Sequence, residues 1–244
     1  MTTGVVVTHA HRTAVGKSGR GALAQTRPDE LLGLLIEGFL KQTPDLDPAA
    51  IDDVIIGCAF PEAEQGMNVA RLAAIRAGLP IEVPGMTMNR FCSSGLQTLA
   101  TGASQIQAGW SDIVLTGGVE SMSMVPMGGQ KPSPNPHLAA EFPEAYESMG
   151  ITSENVATRY DISREDQDAF AVQSQSRALA AIAEGRFKDE IIPVEVWLNG
   201  GTFVFDTDEG PRADTTVEGL ARLRPVFDPR GTVTAGNARA RLIQ

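Results

Sequence analysis

The sequence predicts an α/β fold that carries an inserted second region, and three observations support this prediction. Short apolar segments alternate with amphipathic segments of helical length over residues 1–120. A cysteine, Cys92, stands between a predicted strand and a predicted helix. After Ser121 the alternation is interrupted by methionines, glycines and prolines. Strands that are separated by helices imply parallel pairing in a covered sheet, with ligands at the carboxyl ends of the strands.

The elements of the first region follow from apolar spacing and from turn residues. Residues 5–8 form a short apolar run, which predicts a buried strand. Pro28 falls in the first turn of a helix predicted over 28–41. Gly78 and Pro80 end a helix predicted over 68–77. The remaining predicted elements are strands at 53–59, 85–89 and 113–116 and a helix at 94–108.

The second region begins as an excursion and continues as a helical segment. Prolines at positions 126, 132, 134 and 136 exclude a regular strand there. Helices are predicted over 152–160 and 163–185, and Ser163 as N-cap with Asp166 three residues later is close to a capping box. Strands are predicted over 191–197 and 202–206, and residues 233–237 are expected to return to the first region.

Composition narrows the class of protein. The chain has 244 residues, 42% of them hydrophobic, and a formal net charge of −10. This charge argues against nonspecific binding to nucleic acid, which requires Lys and Arg to neutralise phosphates. No apolar run approaches the roughly 18 residues of a membrane span, and no secretory signal is visible. Two cysteines make neither a disulfide framework nor a metal site, so the predicted location is the cytoplasm.

Cys92 is the candidate nucleophile, because it is predicted to lie at a helix N-terminus. The free N–H groups and the positive end of the helix dipole stabilise a thiolate, which is the reactive form of cysteine. Ser93 or Ser94 can cap this turn. The alternative is that Cys92 is a small apolar filler, as most buried cysteines are. Cys58, which ends an apolar strand, is interpreted in that second way.

Two further patterns in the sequence are candidate sites. The segment Gly16-Lys17-Ser18 is similar to a phosphate-binding loop, but the motif needs a glycine at the position of His11. An exposed turn is the better interpretation. His9, His11 and His137 are the only histidines that could activate a thiol, and we interpret all three as surface or structural residues.

The segment around Cys92 resembles the nucleophile segment of the thiolases, in particular of the degradative 3-ketoacyl-CoA thiolases. Five more segments agree with that family in order and spacing, so that the resemblance covers residues 1 to about 238. The six segments start at Arg12, Asn89, Gly117, Met149, Asp166 and Gly231. The resemblance implies a thiolase-like fold, with an N-terminal domain at 1–120 and 229–244 and an inserted loop domain at 121–228.

The resemblance also implies a chemistry. Cys92 would accept an acyl group from a 3-ketoacyl-CoA, in fatty acid β-oxidation, with coenzyme A as co-substrate and no tightly bound cofactor or metal. Met149 and Phe227 would line the pantetheine arm, and Arg212, with Arg222 and Arg224, would contact the CoA phosphates. Ser148 stands where several thiolases have a histidine, and Arg239 where they have a serine. A homodimer or tetramer is expected.

The family pattern stops after Asn237-Ala238, and the last residues, 239–244, do not match it. We interpret this as a truncation, with the C-terminal half of the family absent. That half supplies the second oxyanion donor, the activating histidine, an asparagine and the second cysteine. The chain is therefore expected to be inactive alone. The alternative is a noncatalytic remnant with at most weak CoA binding or dimerisation.

Overall fold

A computed structural model describes residues 4–238 and the backbone of residues 242–243. These residues form two compact units. The first comprises the chain up to Lys131, Phe187–Gly210 and the strand at 242–243. The second comprises Pro132–Arg186 and the chain from Pro211 to residue 238. The predicted domain boundaries at 121 and 228 come from family resemblance rather than from packing, and they stay a prediction.

The regular elements alternate along the chain much as the sequence predicts. The helices are α1 (Pro28–Gln42), α2 (Val69–Arg76), α3 (Ser94–Gln107), α4 (Pro136–Glu141), α5 (Met149–Arg159), α6 (Arg164–Ala183) and α7 (Val217–Ala221). The strands are β1 (Gly16–Lys17), β2 (Asp53–Gly57), β3 (Gly85–Met88), β4 (Val114–Gly118), β5 (Val194–Leu198), β6 (Gly201–Phe205) and β7 (Leu242–Ile243).

A three-stranded parallel sheet in the order β3-β2-β4 forms the centre of the first unit. Ile55 of β2 pairs with Met86 on one side and with Thr116 on the other. Parallel neighbours need a crossover, and α2 and α3 provide the two crossovers of this sheet. The predicted α/β fold with parallel pairing is confirmed.

The central strand is buried on both faces. Val54, Ile55 and Ile56 are each 0% exposed, which explains why β2 is a continuous apolar run rather than an alternating one. Ile36 of α1 and Ala73 of α2 belong to the same buried cluster as Val54 and Ile56. This packing fixes the end of β2, from which the chain continues to Cys58.

The end of β2 is in direct contact with the first turn of α3. A Cβ atom added at Gly57 would lie 2.6 Å from the carbonyl carbon and 2.7 Å from the Cβ of Ser94. Real Cβ atoms do not approach other atoms so closely, so only glycine fits at this position without a shift. The start of α3 is thus held against the sheet.

An antiparallel hairpin, β5-β6, covers a second apolar cluster of the first unit. Val194 pairs with Phe205, and both are buried with Leu23 and Leu31. Asn199 and Gly200 form the loop with positive φ angles of 53° and 86°, as a two-residue hairpin turn requires.

The second unit is built around buried carboxylates. Glu154 of α5 accepts hydrogen bonds from the N–H groups of Thr232 and Val233, at 2.9 Å and 2.8 Å. Asp168 of α6 accepts from the Nε of Arg164 at 2.8 Å and from the amide of Asn237 at 2.9 Å. Residues 232–237 are therefore bonded to α5 and α6.

Most predicted elements are confirmed within a few residues, including the N-cap of α6, where Ser163 accepts the N–H of Asp166 at 3.0 Å. The predicted buried strand at 5–8 is wrong: Val6 is 76% exposed and Val7 is 65% exposed. A strand needs a neighbour for its N–H and C=O groups, and the described part of the chain provides none for these residues.

Candidate active site

Cys92 lies in a short 3-10 turn, Phe91–Ser93, between the carboxyl end of β3 and the start of α3. Its side chain is exposed and its thiol is free. Within residues 4–238 the structure gives neither its Sγ nor its backbone N–H a hydrogen-bond partner. The predicted position, at a helix end just beyond a parallel strand, is confirmed. The alternative, that Cys92 is a buried apolar filler, is excluded because its side chain is exposed. The thiol and the free backbone N–H belong to the same residue and therefore lie next to each other.

The two serines that follow Cys92 do not cap the helix in the expected way. The Ser93 hydroxyl donates to the carbonyl of Arg90 at 2.9 Å. The Ser94 hydroxyl accepts the N–H of Arg90 at 2.8 Å and donates to the carbonyl of Phe91 at 2.6 Å. Both therefore bond backward to the turn. The N–H groups of Ser93 and Ser94 already bond to Arg90 and Phe91 carbonyls, so the turn itself replaces a side-chain cap.

The turn before Cys92 has an unusual backbone. Phe91 has a φ of 45°, which a bulky side chain rarely adopts. The Asn89 side chain accepts the N–H of Phe91 at 2.7 Å and donates to the carbonyl of Ala59 at 2.8 Å. The rings of Phe91 and Phe60 lie 5.9 Å apart between centroids. The turn is thus bonded to the segment that follows β2.

Cys58 lies in that same segment but is chemically different from Cys92. It is 1% exposed, and its Sγ donates to a carboxylate oxygen of Glu120 at 3.9 Å. Burial, with a smaller contribution from the Glu120 charge, raises the pKa of the Cys58 thiol to about 12. The buried Gln65 amide donates to Glu120, which also accepts the N–H of Ala59 at 2.6 Å. Cys58 is the packed core thiol that the sequence predicts.

The histidines are engaged elsewhere. The ring of His9 bonds to the hydroxyl of Thr8 at 3.1 Å. The rings of His9 and His11 contact Phe39, at centroid distances of 5.5 Å and 6.0 Å. His137 takes part through its backbone N–H in the N-cap of α4. In the described residues, therefore, no histidine contact identifies a base for Cys92.

The Gly16-Lys17 loop binds a carboxylate of the protein itself. One Glu209 oxygen accepts the N–H of Lys17 at 2.8 Å, and the other accepts the N–H of Ala22 at 3.0 Å. A Cβ at Gly21 would collide with this carboxylate, which explains the glycine there. The donors that a phosphate would need are already bonded, so the rejection of a nucleotide-binding loop has a structural reason.

The second unit contains an open pocket of about 340 Å³. It is lined mainly by α5 and by the segment at 233–238, with residues Met149, Thr152, Ser153, Val156, Ala157, Ile162, Gln167, Val233, Asn237 and Ala238. Met149 is 55% exposed at its edge. Ser148, where a histidine occurs in several thiolases, is the N-cap of α5 and accepts the N–H of Ile151 at 3.4 Å.

The other residues expected to bind CoA do not line this pocket. The Phe227 ring packs against Gly150, where an added Cβ would lie 2.2 Å from the ring. Arg212 is exposed and bonds to Asp214 at 3.1 Å, and that hydrogen bond raises the pKa of Arg212. Arg222 and Arg224 are exposed as well. Arg239, the other departure from the family pattern, lies outside the described residues.

Sequence reasoning missed most of the pocket lining. Ile162, Gln167 and Asn237 come from separate stretches of the chain, and only folding brings them together. The sequence offers one signal, because the segment that starts at Gly231 matches a family motif that assigns no role to its side chains. Gly231 itself is constrained by the buried carboxylate of Glu154, which an added Cβ would meet.

A parallel sheet with an exposed thiol at its carboxyl edge defines an α/β protein with a free cysteine at the edge where such sheets bind ligands. The family model described as the thiolase N-terminal domain matches residues 5–240. The chain belongs to the thiolase family. In the described residues there is no group of three or more His, Cys, Asp or Glu side chains that could hold a metal ion. None of the described helices has the length and apolarity that crossing a membrane requires.

Several named proteins are similar to this chain. A 3-ketoacyl-CoA thiolase of Bacillus subtilis strain 168 is 51% identical over 242 residues, which is 96% of this chain and 62% of that protein. An acetyl-CoA acetyltransferase of Pseudomonas aeruginosa is 46% identical, with the same coverage. The crystal structure of the Bacillus anthracis acetyl-CoA acetyltransferase superposes with a TM-score of 0.86 at 39% identity, over 98% of this chain and 62% of that one. The chain thus spans about three fifths of the length of these relatives.

Proposed function

We propose that this chain carries the nucleophile of an acetyl-CoA C-acyltransferase of the 3-ketoacyl-CoA thiolase type, with Cys92 as the acyl acceptor. The observation that supports this most directly is the exposed, free thiol of Cys92 at the junction of β3 and α3. The 51% identity to a 3-ketoacyl-CoA thiolase points to the same reaction.

The proposed reaction proceeds through a thioester. The Cys92 thiolate adds to C3 of a 3-ketoacyl-CoA, and an oxyanion forms on the C3 oxygen. The oxyanion collapses, the C2–C3 bond breaks, and C2 takes a proton to give acetyl-CoA. The thiolate of free CoA then attacks the thioester, which releases the shortened acyl-CoA and restores the Cys92 thiolate. The free N–H of Cys92 can donate to the oxyanion, and loss of one such donor typically costs about 100-fold to 1000-fold in rate.

The remaining catalytic groups are proposed to belong to a C-terminal half of the thiolase pattern. Of the groups expected from the family, only the Cys92 thiol and its N–H are found among the described residues. We propose, accordingly, that the chain alone does not catalyse thiolysis. The second candidate function is a noncatalytic remnant with at most weak CoA binding or dimerisation. In the described residues no histidine contacts Cys92, and this observation favours the second candidate.

Coenzyme A is the proposed co-substrate, and no tightly bound cofactor is required. The pocket of the second unit is the candidate site for the pantetheine arm, because its lining combines apolar side chains with polar groups such as Asn237. Met149 stays the proposed apolar contact. Phe227 supports α5 through Gly150, and Arg212 is proposed to contact phosphate.

The wider role is proposed from the family. Degradation in fatty acid β-oxidation fits the Phe91 and Ser93-Ser94 variant of the nucleophile segment. A cytoplasmic location, a homodimer or tetramer, and the absence of nucleic acid or membrane partners are part of the same proposal.

Labelling with bromoacetyl-CoA and with bromoacetamide tests the proposed function. Both reagents carry a bromoacetyl group, on a thioester in one and on an amide in the other. A faster reaction of Cys92 with the CoA reagent indicates CoA-directed attack only to the extent that free CoA suppresses it. Equal rates would reject CoA recognition by this chain. Thiolysis of acetoacetyl-CoA is measured in parallel against Cys92→Ala, and Cys92-dependent turnover would refute the proposal that the chain is inactive alone.

A further inference from the structure

The side chain of Ser94 has two bonds that the proposed reaction does not explain. Ser94 is 4% exposed, so its hydroxyl is buried at the start of α3. It accepts the N–H of Arg90 at 2.8 Å and donates to the carbonyl of Phe91 at 2.6 Å. The two residues that precede Cys92 are therefore bonded to one buried atom.

These bonds hold a backbone that is strained on its own. Phe91 has a φ of 45°, and an aromatic residue adopts such a conformation only where its surroundings hold it there. Asn89 contributes from the other side, since its Oδ1 accepts the Phe91 N–H at 2.7 Å. Ser94 is itself fixed, because the end of β2 at Gly57 packs against it.

We propose that Ser94 is a positioning residue for Cys92, acting on the turn together with Asn89. This inference rests on the proposed role of Cys92 as the nucleophile. Ser94 bonds only to the protein backbone, and it acts by keeping Phe91 in its left-handed conformation. Without the hydroxyl, Phe91 relaxes, and the Cys92 thiol and N–H lose their fixed place at the front of α3.

The rate of alkylation of Cys92 by iodoacetamide measures this effect. In Ser94→Ala we expect the rate at neutral pH to fall about twofold to fivefold, the fold-change that corresponds to the loss of one hydrogen bond of ordinary strength. Peptide mass spectrometry reads Cys58 in the same sample. Cys58 is buried and reacts only when the chain opens, so its protection shows that the variant is folded.

The matched control is Thr98→Val. Thr98 is also buried in α3, one turn further on, and its hydroxyl donates to the carbonyls of Gly95 at 2.7 Å and Gly117 at 3.0 Å. The substitution removes buried hydrogen bonds of a similar kind but no bond to the turn at 90–91. We expect the Cys92 rate to remain that of the wild type.

An unchanged Cys92 rate in Ser94→Ala, with Cys58 still protected, would overturn the proposal, and so would an equal loss in Thr98→Val. Should Ser94→Ala expose Cys58, Asn89→Ala decides, because it removes the second bond to the turn from an exposed side chain. The same fall there supports the proposal and no fall overturns it. Iodoacetamide carries no CoA group, so these outcomes are independent of the bromoacetyl-CoA test of the function.

Discussion

Replacing Gly57 with alanine tests how closely α3 packs on the end of β2. The added Cβ would lie 2.6 Å and 2.7 Å from two atoms of Ser94, neither of which belongs to a flexible side-chain end. Overpacking typically costs about 1–3 kcal/mol. Because the obstacle here is backbone, we expect the upper part of that range, about 2–3 kcal/mol in the free energy of unfolding.

Gly117→Ala is the matched control. Gly117 lies on the neighbouring strand β4, opposite Ile56, and a Cβ there would have an ordinary contact of 3.5 Å with the Ile56 side chain. An alanine that fits reduces the entropy of the unfolded chain, which stabilises by about 0.4–1 kcal/mol. The two substitutions should therefore change stability in opposite directions.

Urea unfolding followed by tryptophan fluorescence measures the difference in stability between the two variants, and it does so in the first unit. Trp110 and Trp197, the two tryptophans of the sequence, both belong to the first unit. With a denaturant slope of about 1–3 kcal/mol per molar, the Gly57→Ala midpoint should fall by about 1 M. Coincident midpoints for Gly57→Ala and Gly117→Ala would contradict the close approach of α3 to β2.

Three other predictions concern different parts of the chain. The pKa of Cys58 is raised from 9.0 to about 12 in the folded state, so the folded chain binds more protons than the unfolded chain between these values. The free energy of unfolding of the chain should therefore fall as the pH rises above about 9, by up to about 1.4 kcal/mol per pH unit. Urea titrations at several pH values measure this slope, and the slope should be smaller in Cys58→Ala. Glu154→Ala removes the acceptor of the buried Val233 N–H and should cost about 3 kcal/mol in the free energy of unfolding. Hydrogen exchange of residues 231–238 should accelerate in this variant, whereas Glu144→Ala, at an exposed position of the same unit, should leave it unchanged. Leu96 is 71% exposed on α3, so the chain should associate and should bind apolar dyes. Leu96→Glu should reduce association and dye binding more than Leu138→Glu does, and sedimentation and dye fluorescence measure the two effects.

The parts of the fold that the sequence predicts well are those where one local pattern decides the structure. The β2 segment is a continuous apolar run, and burial on both faces requires such a run. The role of Ser163 as an N-cap is also predictable from a local pattern, because its partner Asp166 lies only three residues away. The position of Cys92 is predictable for a similar reason, since Cys92 stands where a strand pattern changes to a helix pattern.

The parts that the sequence does not predict depend on partners distant along the chain. The apolar run at 5–8 looks like a strand, but a strand also needs a neighbour. The pocket of the second unit combines α5 with residues 233–238, and the sequence predicts only the edge residue Met149 as part of its lining. The hydroxyl of Ser94 bonds backward instead of forward, because the left-handed Phe91 brings the carbonyl and N–H of the turn within its reach.

The carboxylate of Glu209 accepts the backbone N–H groups of the loop near Lys17, so it occupies the place that a bound anion would take. Inorganic phosphate or a nucleotide could reach these N–H groups only by displacing a group that is covalently part of the same chain and therefore always present at high local concentration. The similarity of Gly16-Lys17-Ser18 to a nucleotide-binding motif is thus a similarity of sequence only, and it does not extend to free donors for a phosphate. It also means that this loop cannot reach its final shape until a segment nearly two hundred residues later has been synthesised.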